Sequence, residues 1–193
     1  SSGKTTLLGL IESQLGNKAH YSHKANSAFG VPFDILGFPA RQLKKSEWIG
    51  LIVGAPILAF GSTRPEKIYV VEADSDRPGE AHFLSRLLRP EVTIWLSSDR
   101  SHSQNFDSLV ATGVYKTGET AIAAEFAQYA RAVKKLVIAN RDVRHIEQQL
   151  AKTTVPKLHW VTATAEYMLT TTTTEFTIKG TRFTIPALEP PET

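Results

Sequence analysis

The chain opens on Ser1-Ser2-Gly3-Lys4-Thr5-Thr6, and no other stretch constrains its fold as strongly. Gly-Lys-Thr is the second half of a phosphate-binding loop, whose full pattern is a glycine, four free positions and then Gly-Lys-Ser/Thr. Each residue type has a chemical reason. The glycine lets backbone N–H groups close around phosphate oxygens. The lysine reaches the β- and γ-phosphates, and the hydroxyl ligates Mg²⁺. The helix that follows turns its positive end toward the anion. Such a loop joins a buried strand to a helix, so it predicts an α/β fold. Its leading glycine and its strand would lie ahead of Ser1, and the chain therefore reads as a piece of a longer protein. Three defined residues are a weak signal alone, so the remaining residues have to support it.

They do so by alternating β and α patterns. Leu7, Leu8, Ile11 and Leu15 recur at helical spacing, and Gly16-Asn17 would end that helix. His20 to Gly30 has no clear period and reads as a short strand or loop, with Val31-Pro32 opening a helical turn through Leu36. Ser46 is a candidate cap for a helix running from Glu47 toward Phe60. Its apolar run from Trp48 to Phe60 predicts a buried helix, because it falls short of the roughly eighteen residues of a membrane span. Lys67 to Asp74 is β-branched and aromatic and ends in acids, the pattern of a buried parallel strand with carboxylates at its C-terminal end. Ligands sit at that end in open α/β sheets.

A helix over Gly79–Leu88, a buried strand over Val92–Leu96, a helix over Thr117–Val133 and a strand over Leu136–Ala139 continue the alternation. A helix over Val143–Ala151 and a strand over Lys157–Val161 follow. Beyond Thr162 the pattern changes to alternation around Lys179-Gly180, which predicts a β-hairpin. The expected fold is thus α/β: a phosphate-loop-type, mostly parallel sheet flanked by helices, with a small antiparallel hairpin near the C-terminus.

Composition narrows the chemistry. The chain has no cysteine, which excludes disulfides, thiolate metal sites and a cysteine nucleophile. A net charge of +3 over 193 residues is too small to argue for nucleic acid.

Glu72, at a strand end, suits the acid that holds Mg²⁺ opposite a phosphate loop, and Asp74 competes for that role. His102 follows the next strand and is a candidate for a second metal or for phosphate. Asn140 and Asp142 close a third strand, where they suit either a nucleotide base and ribose or the cap of the next helix. His20, His23, His82, His145 and His159 read as ordinary packed or solvated histidines.

In order and spacing these residues resemble the central, ATP-binding domain of the Mur ligase family over nearly the whole chain, residues 1–193. The family's Gly-Lys-Thr-Thr loop matches Gly3-Lys4-Thr5-Thr6. Its Asn-Asn-x-x-Gly-Val-Pro segment resembles Asn26-Ser27-Ala28-Phe29-Gly30-Val31-Pro32. An acid-ending strand, a Pro-Gly helix start and an Arg-Pro-acid turn correspond to Glu72, Arg77-Pro78-Gly79 and Arg89-Pro90-Glu91. His102 and Asn140-Arg141-Asp142 match the later motifs.

The resemblance implies a cytoplasmic enzyme of peptidoglycan precursor synthesis that uses ATP and Mg²⁺. It would activate a carboxylate of a UDP-sugar-peptide as an acyl phosphate and join it to an amino acid or dipeptide. It also implies roles for residues. Gly3, Lys4, Thr5, Thr6, Asn140 and Asp142 would hold the nucleotide, and Thr5, Glu72 and His102 the metal. Lys4 and His102 would serve catalysis, and Asn26 and Ser27 would face the substrate. N- and C-terminal domains of the same chain would complete the site.

The sequence departs from the family in three places. Glu72-Ala73-Asp74-Ser75 replaces Glu-Met-Gly-Ala, and the loop around His102 has a different composition. Phe126 stands where the family carries a metal-serving carbamylated lysine, with the Glu125 carboxylate beside it on another helix face. These changes motivate a second reading, a degenerate domain that binds nucleotide or a partner without ligase activity.

Overall fold

The computed structural model describes residues 3–23, 25–38, 45–61, 68–98, 103–162, 167–169, 173–178 and 181–186. The first helix, α1, spans Lys4–Leu15 and turns Leu8 into the core. A short strand, β1 (Ala19–Ser22), follows it. The next helix, α2, spans Gly30–Ile35. It begins on glycine for a steric reason: a Cβ on Gly30 would lie 3.0 Å from Ala25 Cα. Val31 beside it is completely buried.

The apolar run forms α3, Lys45–Ala59. It begins at Lys45, so Ser46 lies in its first turn and does not precede it as a cap. Nor is the helix buried. Ile49, Val53, Ile57 and Phe60 are exposed, Phe60 to 93%. Helix α3 meets α2 near its N-terminal end, with Trp48 against Phe33 at a centroid distance of 5.8 Å. No described helix is long and apolar enough to cross a membrane.

Strand β2 (Ile68–Val71) pairs with β1 in parallel, with Tyr69 opposite His20. Their rings stack 5.5 Å apart, and Asp34 of α2 accepts hydrogen bonds from both the Tyr69 hydroxyl and the His20 ring. Helix α4 (Glu80–Leu88) returns the chain. Its Glu80 carboxylate accepts from the Asp76 and Arg77 N–H groups and so shapes the Arg-Pro-Gly turn.

Strand β3 spans Val92–Trp95. Its Val92 and Ile94 are exposed, and Trp95 alone is fully buried, so the expected buried strand is covered mainly on one face. A short helix, α5 (Asp107–Ala111), and the long α6 (Gly118–Ala132) follow, the latter capped by the Thr117 hydroxyl on the Thr120 N–H. Strand β4 (Leu136–Asn140), helix α7 (Arg144–Leu150) and strand β5 (Leu158–Val161) complete the alternation. The Arg-Pro-Glu turn now has a structural role. Pro90 and Glu91 carbonyls accept from the N–H groups of Lys134, Lys135 and Leu136 and set the start of β4.

The described parallel strands fall into two sheets, β1-β2 and β3-β4-β5. A third sheet is antiparallel and holds β6 (Tyr167–Leu169), β7 (Thr173–Ile178) and β8 (Thr181–Pro186) in that order. Ile178 faces Thr181 across the expected turn. The turn residues Lys179 and Gly180 lie outside the described residues.

Three apolar clusters form the core, and the ring of Phe126 packs against all of them. One unites β3 and β4 with α6 and α7, the second joins α2, α4 and α6, and the third holds Phe106 under α6. Helix α6 therefore links both parallel sheets.

This arrangement separates two kinds of apolar residue. Truncating buried Leu84 to alanine is expected to cost about 2–5 kcal/mol. Ile57→Ser or Phe60→Ser is expected to change stability by about 0.5 kcal/mol or less. Urea unfolding of the three variants checks the contrast.

Candidate functional site

The site begins where α1 does. Gly3 sits in the left-handed region, φ 74°, which a residue with a Cβ adopts only at a cost. The first helical bond runs from the Leu7 N–H to the Gly3 carbonyl. The amide groups of Lys4, Thr5 and Thr6 are consequently helix-start donors without an intrahelical acceptor. No side chain caps this end at Gly3.

Opposite it lies the end of β2. The Thr5 hydroxyl donates to Glu72 Oε2 at 2.9 Å, and Lys4 Nζ meets Asp74 Oδ2 at 2.9 Å. These contacts join residues 67 and 70 positions apart. Glu72 and Asp74 thus have separate partners, Glu72 meeting the hydroxyl and Asp74 the ammonium.

The strand end is held from several sides. The Asp74 N–H donates to the Asn26 carbonyl at 2.8 Å, which brings the Asn26-Ser27 segment to the carboxylates. Asn26 itself is exposed, and the Ser27 hydroxyl accepts from the Gly30 N–H. The Tyr129 hydroxyl donates to the Asp74 carbonyl at 3.2 Å. Burial pushes the Tyr129 phenol well above its ordinary pKa, and the charges of Asp74, Glu125 and Glu80 add to the rise. The nearby Ser75 hydroxyl acts the other way. That hydroxyl is itself buried, and among the described residues none meets it in good hydrogen-bond geometry.

Glu125 has a structural partner. Its Oε1 accepts from the Ala81 N–H at 2.8 Å, so α6 supplies the cap that α4 lacks locally. Phe126 is a core residue, with its ring 6.4 Å from that of Tyr129. Asn140 Nδ2 donates to the Leu96 carbonyl, and its Oδ1 accepts from the Asp142 N–H. Its amide therefore fastens the end of β4 to the end of β3. The next helix takes Val143 as its N-terminal boundary, without a side-chain cap. Asp142 is exposed.

His102 lies outside the described residues. Asn105, three positions later, donates to the Asp76 carbonyl at 2.8 Å and ties that side of its loop to the carboxylate turn. Among the described residues no three histidine or acidic side chains gather as a metal site. Thr5 and Glu72 do offer adjacent hard oxygens, the donor type Mg²⁺ takes alongside water and phosphate oxygens.

Sequence reasoning missed Tyr129 and Asn105, and it named the Glu125 carboxylate without its role at the start of α4. Glu125 and Tyr129 are four residues apart on an alanine-rich helix, so they share a face, and that spacing was the available signal.

The chain is thus a parallel-stranded α/β domain in which a Gly-Lys-Thr helix start meets two strand-end carboxylates. No protein-family model and no curated protein matches it by sequence. Solved structures do match it in fold, among them ligases of the MurF type. MurF from Acinetobacter baumannii superposes with a TM-score of 0.61 at 18% identity, over 96% of this chain and 36% of its own. MurF ligase from Thermotoga maritima, solved in complex with ADP, gives 0.59 at 17% identity, over 96% and 38%. The UDP-N-acetylmuramoylalanyl-D-glutamyl-2,6-diaminopimelate–D-alanyl-D-alanyl ligase of A. baumannii gives 0.58 at 18% identity, over 97% and 37%. The chain therefore has the fold of a little over a third of these ligases.

The raised pKa of Tyr129 gives a pH dependence. The folded state favours the neutral phenol, so its contribution is complete below the ordinary tyrosine pKa and is lost as pH rises through it toward the higher folded value. Above about pH 10 this residue should lower stability by up to about 1.4 kcal/mol per pH unit. Unfolding of the parent and of Tyr129→Phe from pH 8 to 11 should show a shallower alkaline decline in the variant.

Proposed function

We propose that the chain is the nucleotide-binding part of an ATP-dependent, Mur-type amide ligase, with Gly3-Lys4-Thr5-Thr6 as its phosphate loop. The observation that carries this reading is the meeting of Thr5 with Glu72 at 2.9 Å, within a MurF-like fold. Mg²⁺ would be held by Thr5 and Glu72, with His102 as a further ligand, and when bound it would supply charge screening of the phosphates. Lys4 and the amide groups at the start of α1 would bind the β- and γ-phosphates and stabilise negative charge as it moves during transfer. Asn140 and Asp142 would flank the nucleotide at the adjoining strand end, and Asn26 and Ser27 the acceptor.

The chemistry is balanced without a protein nucleophile. A carboxylate oxygen of the UDP-sugar-peptide takes the γ-phosphoryl group, and ADP leaves. The amine of the incoming amino acid or dipeptide then attacks the acyl carbon. Phosphate departs, the amine's proton passes to solvent, and an amide remains. Flanking domains of the same cytoplasmic protein would bring carboxylate and amine together and close the site against water.

The phosphate loop's own strand would belong between β2 and β3. Each has one hydrogen-bonded neighbour among the described strands, and Tyr129 reaches both, through the Asp74 carbonyl and through Thr93.

A second reading, nucleotide binding without ligation, is favoured by Phe126 in the core where the family's metal-serving lysine was expected. Phosphate release distinguishes the two, measured on the longest natural protein containing these residues with MgATP and a panel of carboxylate and amine substrates. The ligase reading expects amine-dependent release that falls at least about a hundredfold in Lys4→Ala. Release unchanged by that substitution would sink it, and nucleotide binding without release over the whole panel would establish the second reading.

A further inference from the structure

Asp74 is fixed through every polar group it has. Its N–H donates to Asn26, its carbonyl accepts from Tyr129, its Oδ1 accepts from the Ser75 N–H at 2.9 Å, and its Oδ2 takes Lys4. Three of these four contacts are independent of Lys4. The carboxylate is therefore preorganised, whereas the lysine is a charge on a flexible four-carbon stem. The pair is only partly exposed, with side-chain exposures of 31% for Lys4 and 24% for Asp74.

We infer that Asp74 is an internal counter-ion that occupies Lys4 in place of a phosphate oxygen and so lowers the affinity of the loop for nucleotide. The inference rests on the phosphate-loop reading of residues 3–6. A phosphate entering the loop must take Lys4 from Asp74. Because the carboxylate stays where Ser75, Asn26 and Tyr129 hold it, the incoming anion also meets a fixed negative charge. A divalent cation arriving with the nucleotide screens that charge, so the penalty falls hardest on metal-free nucleotide. Glu72 is excluded from this role by its own contact with Thr5. Asp74 thus acts as a positioning and selectivity residue, setting a preference for metal-loaded over free nucleotide.

Asp74→Asn tests this, because the amide keeps an oxygen for the Ser75 N–H but removes the charge facing Lys4. ADP binding is measured by calorimetry on the parent, Asp74→Asn and Asp74→Ala, in EDTA and in excess Mg²⁺, at low and high salt. The expected result is binding at least about fivefold tighter in Asp74→Asn without metal, consistent with loss of a partly exposed ion pair. The gain should be smaller with Mg²⁺ and should shrink at high salt. A purely structural role would weaken binding in both variants, and a metal-ligand role would abolish the tightening by Mg²⁺. Either result, or unchanged affinity, overturns the inference while leaving the loop as a nucleotide site. If neither the parent nor any variant binds ADP in either condition, the phosphate-loop reading fails and the inference fails with it. Circular dichroism of each variant confirms that folded protein is compared.

Discussion

Parallel pairing is the constraint on which this structure depends. Parallel strands cannot be joined by a tight turn, so a longer crossover has to carry the chain back between them. Within each parallel sheet every loop leaving a strand's C-terminal end then falls on the same side. In the β3-β4-β5 sheet this places Leu96 beside Asn140, whose side-chain amide donates a hydrogen bond to the Leu96 carbonyl and fastens the two strand ends. In the β1-β2 sheet it places Glu72 and Asp74 beside the Asn26 segment and against the start of α1.

The two sheets share one helix, and α6 serves them with different faces. Phe126 joins the three apolar clusters, Glu125 caps α4, and Tyr129 reaches the Asp74 carbonyl. Tyr129, which helps to hold the strand end in place, thus also packs the core. A buried phenol and a carboxylate in hydrogen-bonded positions are costly to displace, because each would leave a partner unsatisfied. This holds the strand end, whereas the lysine facing it carries its charge on a flexible four-carbon stem.

Much of the fold was legible because it rests on local periodicity. The helices at α1, α4, α6 and α7, and the strands at β2 to β5, follow apolar spacing to within a few residues. The parallel character followed from β-branched runs alternating with helices. The apolar run of α3 misled, since a helix that is apolar on every side usually has a core to enter. Here it meets the domain through Trp48 and leaves Phe60 in solvent. Burial depends on what the rest of the chain brings to that place, and no local pattern encodes it. The short helix α5 was missed for a related reason: its five residues are too few to establish a period.

For the site, the sequence alone determined the chemical inventory: a glycine able to take positive φ, a lysine, a hydroxyl, and acids at the end of a strand. Those follow from residue type and from position along the chain. Only the tertiary structure decided which acid meets which group. Glu72 and Asp74 are two residues apart and chemically alike, and their separate partners, Thr5 and Lys4, lie about 70 positions away. Likewise the sequence showed a glutamate next to a phenylalanine on one helix, and folding assigned the first to a helix cap and the second to the core. Pairing between charges distant in sequence is set by where the strands and helices come to rest, which is a property of the packed chain and of no segment within it.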